Sequence, residues 1–272
     1  MINVDFLLKN GIPTEWIEYV RNRCITDMRD HYFFWEAYQL LDLLEKSKVK
    51  GLKRLKILDA GCGFGVVDCL LVMMGGDLTL LDYDMEYLNK SREAFRESTI
   101  HNLPQGGFRF QFVKGDIFDM PFKGERFDLV WNGGVVEHFE NPSEGIRQMA
   151  AITKPGGYVF VSVPAIFTLH TFIVRPHRRR IKNFFYDVWG KEKSYTERGL
   201  VSEMKKGGLK DIFSSTCNLR RAFIDDYVVI PRLKKFIPGY IPFFLNLCDW
   251  AEVNIPLLHH LGFTIGAIGR KA

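Results

Sequence analysis

The chain has 272 residues, a formal net charge of +5 and 25% charged residues. This length predicts one large domain with insertions or a domain with a small cap, and so mild a charge does not by itself argue for nucleic acid as a partner. The five cysteines form no CxxC pair, which favours reduced thiols in a cytoplasmic protein without zinc or disulfides. We expect no signal peptide at the N-terminus, and the apolar segment 236–250 is shorter than the roughly 20 residues that span a bilayer.

The N-terminal part of the chain is predicted to be helical over residues 13–47. Pro13 suits a first helical turn, and apolar residues recur at helical spacing up to Leu44. The segment is unusually aromatic, and Tyr38 is a candidate contact to a substrate. We expect residues 1–50 to form a helical segment over an active site.

From residue 55 onward, strand-like and helix-like patterns alternate. Strands are predicted at 55–60, 78–82, 108–113, 127–131 and 158–163, and helices at 66–74, 85–98 and 143–153. A Lys-Pro-Gly-Gly sequence at 154–157 predicts a turn before the last of these strands. Such alternation predicts an α/β fold in which helices cover both faces of a parallel sheet.

The pattern changes after residue 164. A helix is predicted at 196–206, with Thr196 as its cap and two glycines at its end, and strands are predicted at 209–215 and 263–269. Between these strands the chain is apolar, aromatic and interrupted by prolines, which predicts a helical cap insertion at about 217–260. We expect residues 51–164 to form a ligand-binding core and residues 165–272 a substrate-side region.

A glycine-rich sequence follows the first predicted strand. Asp59 ends the strand, and Gly61, Gly63 and Gly65 precede an apolar helical pattern. Glycines let the backbone approach a ligand closely, and the following helix directs its free amides to the same place. The third glycine comes one residue earlier than in the dinucleotide fingerprint, and no Gly-Lys-Ser/Thr of a P-loop follows. Asp59 would repel a pyrophosphate but suits a ligand that carries an ammonium and a sulfonium.

The ends of the next strands suit the remaining parts of such a ligand. Asp82 ends the second strand, where a carboxylate can accept hydrogen bonds from both ribose hydroxyls. After the third strand, Asp116 can accept a hydrogen bond from an exocyclic amine while Ile117 packs on an adenine. The fourth strand ends in small residues around Gly133, where a reacting group must come close.

Together these motifs resemble the class I S-adenosylmethionine-dependent methyltransferases over residues 55–164, and most of all the small-molecule group that includes the quinone-biosynthesis enzymes. The matching segments are 57–65, 81–82, 115–116, 127–130, 136–139 and 154–157. The resemblance implies a Rossmann-like seven-stranded sheet in the order 3-2-1-4-5-7-6, with the last strand antiparallel. It implies S-adenosyl-L-methionine as cofactor, with S-adenosyl-L-homocysteine as product.

The candidate cofactor-binding residues are Asp59, Gly61, Cys62, Gly63, Gly65, Asp82, Tyr83, Asp116, Ile117, Asn132 and Gly133. His138 is a candidate general base for an acceptor hydroxyl or amine, although the same position in the family often anchors a loop. No metal ligand set is predicted.

The methyl acceptor has weaker signals. Arg175, Arg178 and Arg179 belong to a basic run at 175–182 that is either a solvated loop or a grip on phosphate. Residues 221–260 are either a cap packed on the sheet or a wall for an apolar substrate, with peripheral membrane contact as a further alternative.

These signals lead to one main hypothesis and two alternatives. The main hypothesis is a cytoplasmic methyltransferase that acts on a small, apolar or lipid-like acceptor. One alternative is an RNA methyltransferase that uses the basic run, although the balanced charge elsewhere disfavours nucleic acid. The other is a non-catalytic protein of the same fold that binds a partner, although such a protein need not keep the glycines and acids.

Overall fold

A computed structural model describes residues 28–49, 51–102, 109–168, 193–219, 247–248, 250–252, 254–255 and 260–272, together with residues 8, 14 and 258. The predicted basic run at 175–182 and most of the aromatic segment 221–260 lie outside these residues. Within the described ranges, no helix is both long and apolar enough to cross a membrane.

The helices and strands come in the predicted order along the chain. The helices are α1 (Met28–Lys46), α2 (Val66–Met73), α3 (Met85–Asn102), α4 (Pro142–Ile152) and α5 (Glu197–Lys206), with a short 3-10 helix at Val136–His138. The strands are β1 (Lys56–Ala60), β2 (Asp77–Asp82), β3 (Arg109–Lys114), β4 (Phe127–Gly133), β5 (Thr153–Pro164), β6 (Leu209–Cys217) and β7 (Thr264–Lys271).

The described strands form one seven-stranded sheet in the order β3-β2-β1-β4-β5-β7-β6. Strands β1 to β5 pair in parallel, and β7 runs antiparallel to both of its neighbours, β5 and β6. The predicted fold class is therefore confirmed. The chain moves from β1 to one side of the sheet and returns to the other side with β4. This reversal leaves a crevice at the carboxyl ends of β1 and β4, which is where open α/β sheets bind ligands.

Both faces of the sheet are buried. Four of the five residues of β1 and five of the six residues of β2 are buried, which is typical of parallel strands covered on both sides. One core cluster packs α1 and α2 against Ile57, Leu80 and Phe160, and the other packs α4 and α5 against Leu58 and Val161. The alternate residues of each strand thus feed two separate cores.

The predicted turn at 154–157 is wrong in one respect, because these residues lie inside β5. Thr153 pairs with Phe127, and the next pair joins Tyr158 to Leu129, so four residues of β5 stand opposite one residue of β4 and form a bulge. Gly156 has a φ of 74°, which lets the chain bend there. The Pro-Gly-Gly signal marks this bulge instead of a break before the strand.

Helix α1 connects the N-terminal part of the chain to the far side of the sheet. The Gln39 side chain donates to the carbonyl of Ser215 in β6 at 2.8 Å. A Cβ on Gly266 of β7 would overlap the Gln39 side chain, so a glycine is needed for this close approach. The described part of this helix, Met28–Lys46, lies within the predicted range 13–47, and the start of that range stays a prediction because residues 15–27 lie outside the described part.

The cap of α5 was predicted correctly. The Thr196 side chain accepts a hydrogen bond from the Gly199 amide at 3.0 Å, which satisfies one of the free donors of the first turn. The helix ends at Lys206, and the Gly208 amide then donates to the carbonyl of Lys205 at 3.0 Å with a φ of 90°. Both ends of α5 are therefore encoded locally.

Candidate cofactor and active site

The glycine turn between β1 and α2 is fastened to the end of β2. The amides of Gly61 and Cys62 both donate to the carbonyl of Leu81, at 2.8 and 3.0 Å. All three glycines of the turn, Gly61, Gly63 and Gly65, have positive φ angles of 90°, 51° and 65°. Residues with a Cβ rarely adopt this backbone conformation, so the turn depends on glycine.

The three glycines differ in what surrounds them. A Cβ on Gly61 would lie 2.7 Å from a methyl group of Val135, and one on Gly65 would overlap the Ser91 hydroxyl. A Cβ on Gly63 would meet no heavy atom within 4 Å. Gly61 and Gly65 therefore serve the packing of the turn, whereas Gly63 faces open space.

Asp82 connects β2 to the glycine turn. One of its carboxylate oxygens accepts the Gly63 amide at 2.9 Å, and the other accepts the Asp84 amide at 3.0 Å. A carboxylate has about four lone-pair sites, so each oxygen keeps one for a further donor. Asp82 thus fixes the turn, and its remaining lone pairs suit the ribose hydroxyls that the sequence predicted.

A cleft lies at the carboxyl ends of β1 and β4. Its walls are Glu36, Asp59, Gly61, Cys62, Phe64, Gly65, Val67, Trp131 and Gly133. Five of these were candidates from the sequence: Asp59, Gly61, Cys62, Gly65 and Gly133. Trp131, stacked on Phe160 with ring centroids 4.7 Å apart, gives the cleft a rigid aromatic side.

Sequence reasoning missed Glu36, which comes from α1. This carboxyl is 3% exposed and accepts a hydrogen bond from the Ser162 hydroxyl of β5 at 2.9 Å. A lone acid within the aromatic sequence Phe-Phe-Trp-Glu-Ala-Tyr was the available signal, because a charged residue on an otherwise apolar helix face usually has a buried partner or a ligand. Phe64, Val67 and Trp131 were also missed as cleft residues.

Asp59 and Asp68 form a buried pair of acids behind the glycine turn. Asp59 is 3% and Asp68 is 1% exposed. Burial, and after it the charge of Asp68, raises the pKa of Asp59 well above its usual range. Burial also raises the pKa of Asp68 to about 7. The cleft therefore has an anionic end that lacks a counter-charge within the described residues.

This pair should make the ligand-free protein less stable as pH rises. The folded state keeps a proton that the unfolded state loses at about pH 4, so the free energy of unfolding falls from pH 4 until the folded pKa of about 7 is passed. We expect Asp68→Asn to raise the free energy of unfolding by about 1–2 kcal/mol at pH 8 and by less at pH 5. Urea unfolding at the two pH values measures this, and equal effects at both would contradict it.

The adenine candidates lie after β3. Ile117 is 6% exposed. Asp116 is exposed, and its carboxylate accepts the Phe118 amide at 2.9 Å in a turn that leaves its second oxygen available. Tyr83, directly after Asp82, is 73% exposed. The three side chains thus follow neighbouring strands, β2 and β3, at the same edge of the sheet, as the cofactor assignment requires.

Among the candidates, Asn132 is buried between β1 and β4. It is fully buried and donates to the carbonyl of Ala60 at 2.5 Å, so it braces β4 against β1. Cys62 lines the cleft, but burial raises the pKa of its thiol, which keeps the sulfur protonated. Contact of either residue with a cofactor stays a prediction.

The acceptor-side candidates are less closely grouped. His138 ends the 3-10 helix that follows β4, next to Val135, whose side chain packs on Gly61. Tyr38 is half-buried against the core on α1, and burial raises its pKa to about 12, which makes it a hydrogen-bonding phenol and not a base. Arg175, Arg178 and Arg179 lie outside the described residues, so their substrate role stays a prediction.

The sheet order, the glycine turn and the acid after β2 define a class I S-adenosylmethionine-dependent methyltransferase domain. Residues 58–161 match the family model of the methyltransferase domain. S-adenosylmethionine is the cofactor of this class. The residues present fit this cofactor. The open space at Gly63 lets the cofactor approach the protein backbone, and the free lone pairs of Asp82 suit its ribose hydroxyls. The anionic end of the cleft suits its cationic methionine end.

Curated relatives share this domain. Over 148 residues the chain is 32% identical to a ubiquinone biosynthesis O-methyltransferase of Vibrio vulnificus, an alignment that covers 54% of each chain. Over 207 residues it is 27% identical to the chloroplastic 2-methyl-6-phytyl-1,4-hydroquinone methyltransferase 2 of Oryza sativa, covering 74% of this chain and 46% of that protein. The chain thus spans about half the length of the curated relatives it matches.

A solved structure shows the same fold at low identity. A methyltransferase of Thermotoga maritima superposes with a TM-score of 0.58 and 14% identity, covering 88% of this chain and 89% of that one. The likeness extends well beyond residues 58–161, so the strands β6 and β7 belong to the shared architecture.

Proposed function

We propose that this protein transfers the methyl group of S-adenosylmethionine to a small apolar molecule of the quinol type. The observation that carries the proposal is the cleft at the carboxyl ends of β1 and β4, where the glycine turn meets an anionic end and an aromatic wall. The names of the two curated relatives, both concerned with quinones or hydroquinones, support this acceptor class.

The residues of the site have separable roles. When bound, S-adenosylmethionine supplies an electrophilic methyl group. Gly63 leaves room for its methionine end, Asp82 accepts from its ribose, and Asp116 with Ile117 takes its adenine. Trp131 and Phe64 line the cleft and limit the access of water to the reacting groups. The same walls hold the acceptor in line with the methyl group.

A base is needed only if the acceptor is a weak acid. A quinol hydroxyl resembles a phenol, whose pKa lies near 10, so a histidine that removes its proton would speed the reaction by about 100-fold or more. His138 is the candidate because it follows β4 at the same edge of the sheet as the cleft. Its replacement by asparagine should lower the turnover rate and leave cofactor affinity unchanged.

Transfer of label tests the proposal. The protein is incubated with methyl-labelled S-adenosylmethionine and a total cell extract, which is then divided into lipid, RNA, protein and polar small molecules. We expect label in the organic-soluble fraction, and a purified hydroquinone with an apolar tail should accept it when its hydroxyls are free. The same compound with all its hydroxyls methylated is the matched control for transfer to oxygen.

Other outcomes point to the alternatives. Label that enters RNA, together with binding of RNA by the protein that weakens in high salt, would favour an RNA methyltransferase. Cofactor binding without label in any fraction would favour a non-catalytic binding protein. Absence of cofactor binding by calorimetry would overturn the proposal as a whole.

A further inference from the structure

The buried acids behind the cleft have no partners that would hold them charged. Both oxygens of Asp68 and the Oδ1 atom of Asp59 lack a hydrogen-bond partner among the described residues, although both side chains are more than nine-tenths buried. The described part of the chain also gives neither acid an ion pair with lysine, arginine or histidine. Two adjacent carboxylates in this state would each have a high free energy.

The groups that face the pair are all neutral or acidic. Glu36 from α1 and Asp82 from β2 each disfavour a second negative charge. The Cys62 thiol of the glycine turn is neutral, because burial raises its pKa. From α3, the fully buried hydroxyl of Ser91 lies against Gly65 of the same turn and does not titrate. One proton shared between Asp59 and Asp68 would remove one charge and provide the missing hydrogen bond.

The location of the pair connects it to the ligand. Asp59 lines the cleft directly, whereas Asp68 lies behind it on the first turn of α2. The methionine end of S-adenosylmethionine carries an ammonium and a sulfonium. A cation beside Asp59 stabilises the ionised carboxylate and reverses the electrostatic reason for holding the proton.

We propose that Asp59 and Asp68 share one proton in the ligand-free protein and release it to solvent when the cationic end of the cofactor binds. The inference rests on the proposed function, since it takes S-adenosylmethionine as the ligand. Charge balances, because a carboxyl–carboxylate pair becomes two carboxylates and the proton passes to buffer. Asp68 is a positioning residue, since it acts on the cofactor through Asp59.

The proposal gives binding a specific pH dependence. Burial raises the pKa of both acids, so at low pH the pair must lose its proton before the complex forms, and affinity should rise with pH and level off once the pair is ionised. The slope is at most about tenfold in dissociation constant per pH unit for one proton. The ammonium of the ligand titrates near pH 8, so measurements between pH 5.5 and 7.5 separate the two effects.

Calorimetry in buffers of different ionisation enthalpy counts the protons. With S-adenosylmethionine and the full chain at pH 6, we expect release of close to one proton per ligand bound, falling toward zero above pH 8. Asp68→Asn keeps the shape and lets an amide donate to Asp59, so it should release almost no proton and bind with little pH dependence. The matched control is Asp211→Asn, because this acid is exposed on β6, and it should release as much as the wild type.

The outcomes distinguish the two proposals. Binding without proton release by the wild type, or equal release by Asp68→Asn, would overturn the shared proton while leaving the methyltransferase function intact. If the wild-type protein binds no S-adenosylmethionine, the proposed function is overturned, and the shared-proton proposal that rests on it is overturned with it. If Asp68→Asn does not fold, Asp68→Ala gives the same readout, and the wild-type proton count decides the question by itself.

Discussion

Replacing Gly63 by leucine is expected to abolish detectable binding of S-adenosylmethionine while leaving the fold intact. A Cβ on Gly63 meets no protein atom within 4 Å, so a larger side chain fits without a clash, and in the proposed binding mode it occupies the space of the methionine end of the cofactor. A loss of about 100-fold or more corresponds to about 2.7 kcal/mol or more in binding free energy. The φ of 51° adds a separate cost of about 1–2 kcal/mol in folding stability.

Gly124→Leu is the matched control for this strain. Gly124 also has a positive φ, 70°, and open surroundings, but it lies in the turn before β4 and away from the crevice. Both variants should lose a similar amount of stability in urea unfolding, and only Gly63→Leu should lose binding in calorimetry. Equal binding by the two variants would show that the glycine turn does not border the cofactor.

The second large effect is expected for Asp82→Ala, which should weaken cofactor binding by about 10- to 100-fold. A carboxylate that accepts hydrogen bonds contributes about 1.5–3 kcal/mol for each bond, and the loss includes its contacts to the ribose. The substitution also frees the Gly63 amide, whose hydrogen bond to Asp82 is 2.9 Å long, so the turn loses part of its support. Calorimetric titration measures the affinity.

Asp84→Ala is the control for Asp82→Ala, because it removes a nearby carboxylate that has no proposed contact with the ribose. The Asp84 side chain accepts the Glu86 amide at 2.8 Å at the start of α3, so its loss removes a helix cap of about 1 kcal/mol without touching a ribose contact. Affinity should stay close to that of the wild type. If Asp84→Ala weakens binding as much as Asp82→Ala does, the ribose assignment is wrong. Asp82→Asn, which keeps one acceptor oxygen, should fall between Asp82→Ala and the wild type.

The fold was predictable because its signals are local. Strands β1, β2 and β4 are rich in apolar residues, the cap of α5 is a single threonine, and three glycines mark the turn after β1. The predicted turn before β5 failed because the pairing of Thr153 with Phe127 depends on a strand elsewhere in the chain. Local turn chemistry cannot distinguish a bulge within a strand from a break before it.

The site was predictable only where it follows strands. Asp59 and Asp82 end strands whose carboxyl ends must meet, so the sequence brings them together. Glu36 reaches the cleft through α1 and meets Ser162 across 126 residues of chain, a contact that no local pattern encodes. Asp68 reads as an ordinary acid of a first helical turn, where it favours the helix dipole, and its burial becomes visible only once α2 is packed.

The contact between Glu36 and Ser162 determines which segment a chimera with a related protein must include. Both residues lie outside the segment 58–161 that matches the family model, yet Glu36 forms part of the cleft wall. A chimera that transplants only this segment into a relative would carry the glycine turn and Asp82 but would leave one acidic wall behind. A transplant that keeps the whole wall of the cleft must therefore be longer than the matched domain and include both α1 and Ser162.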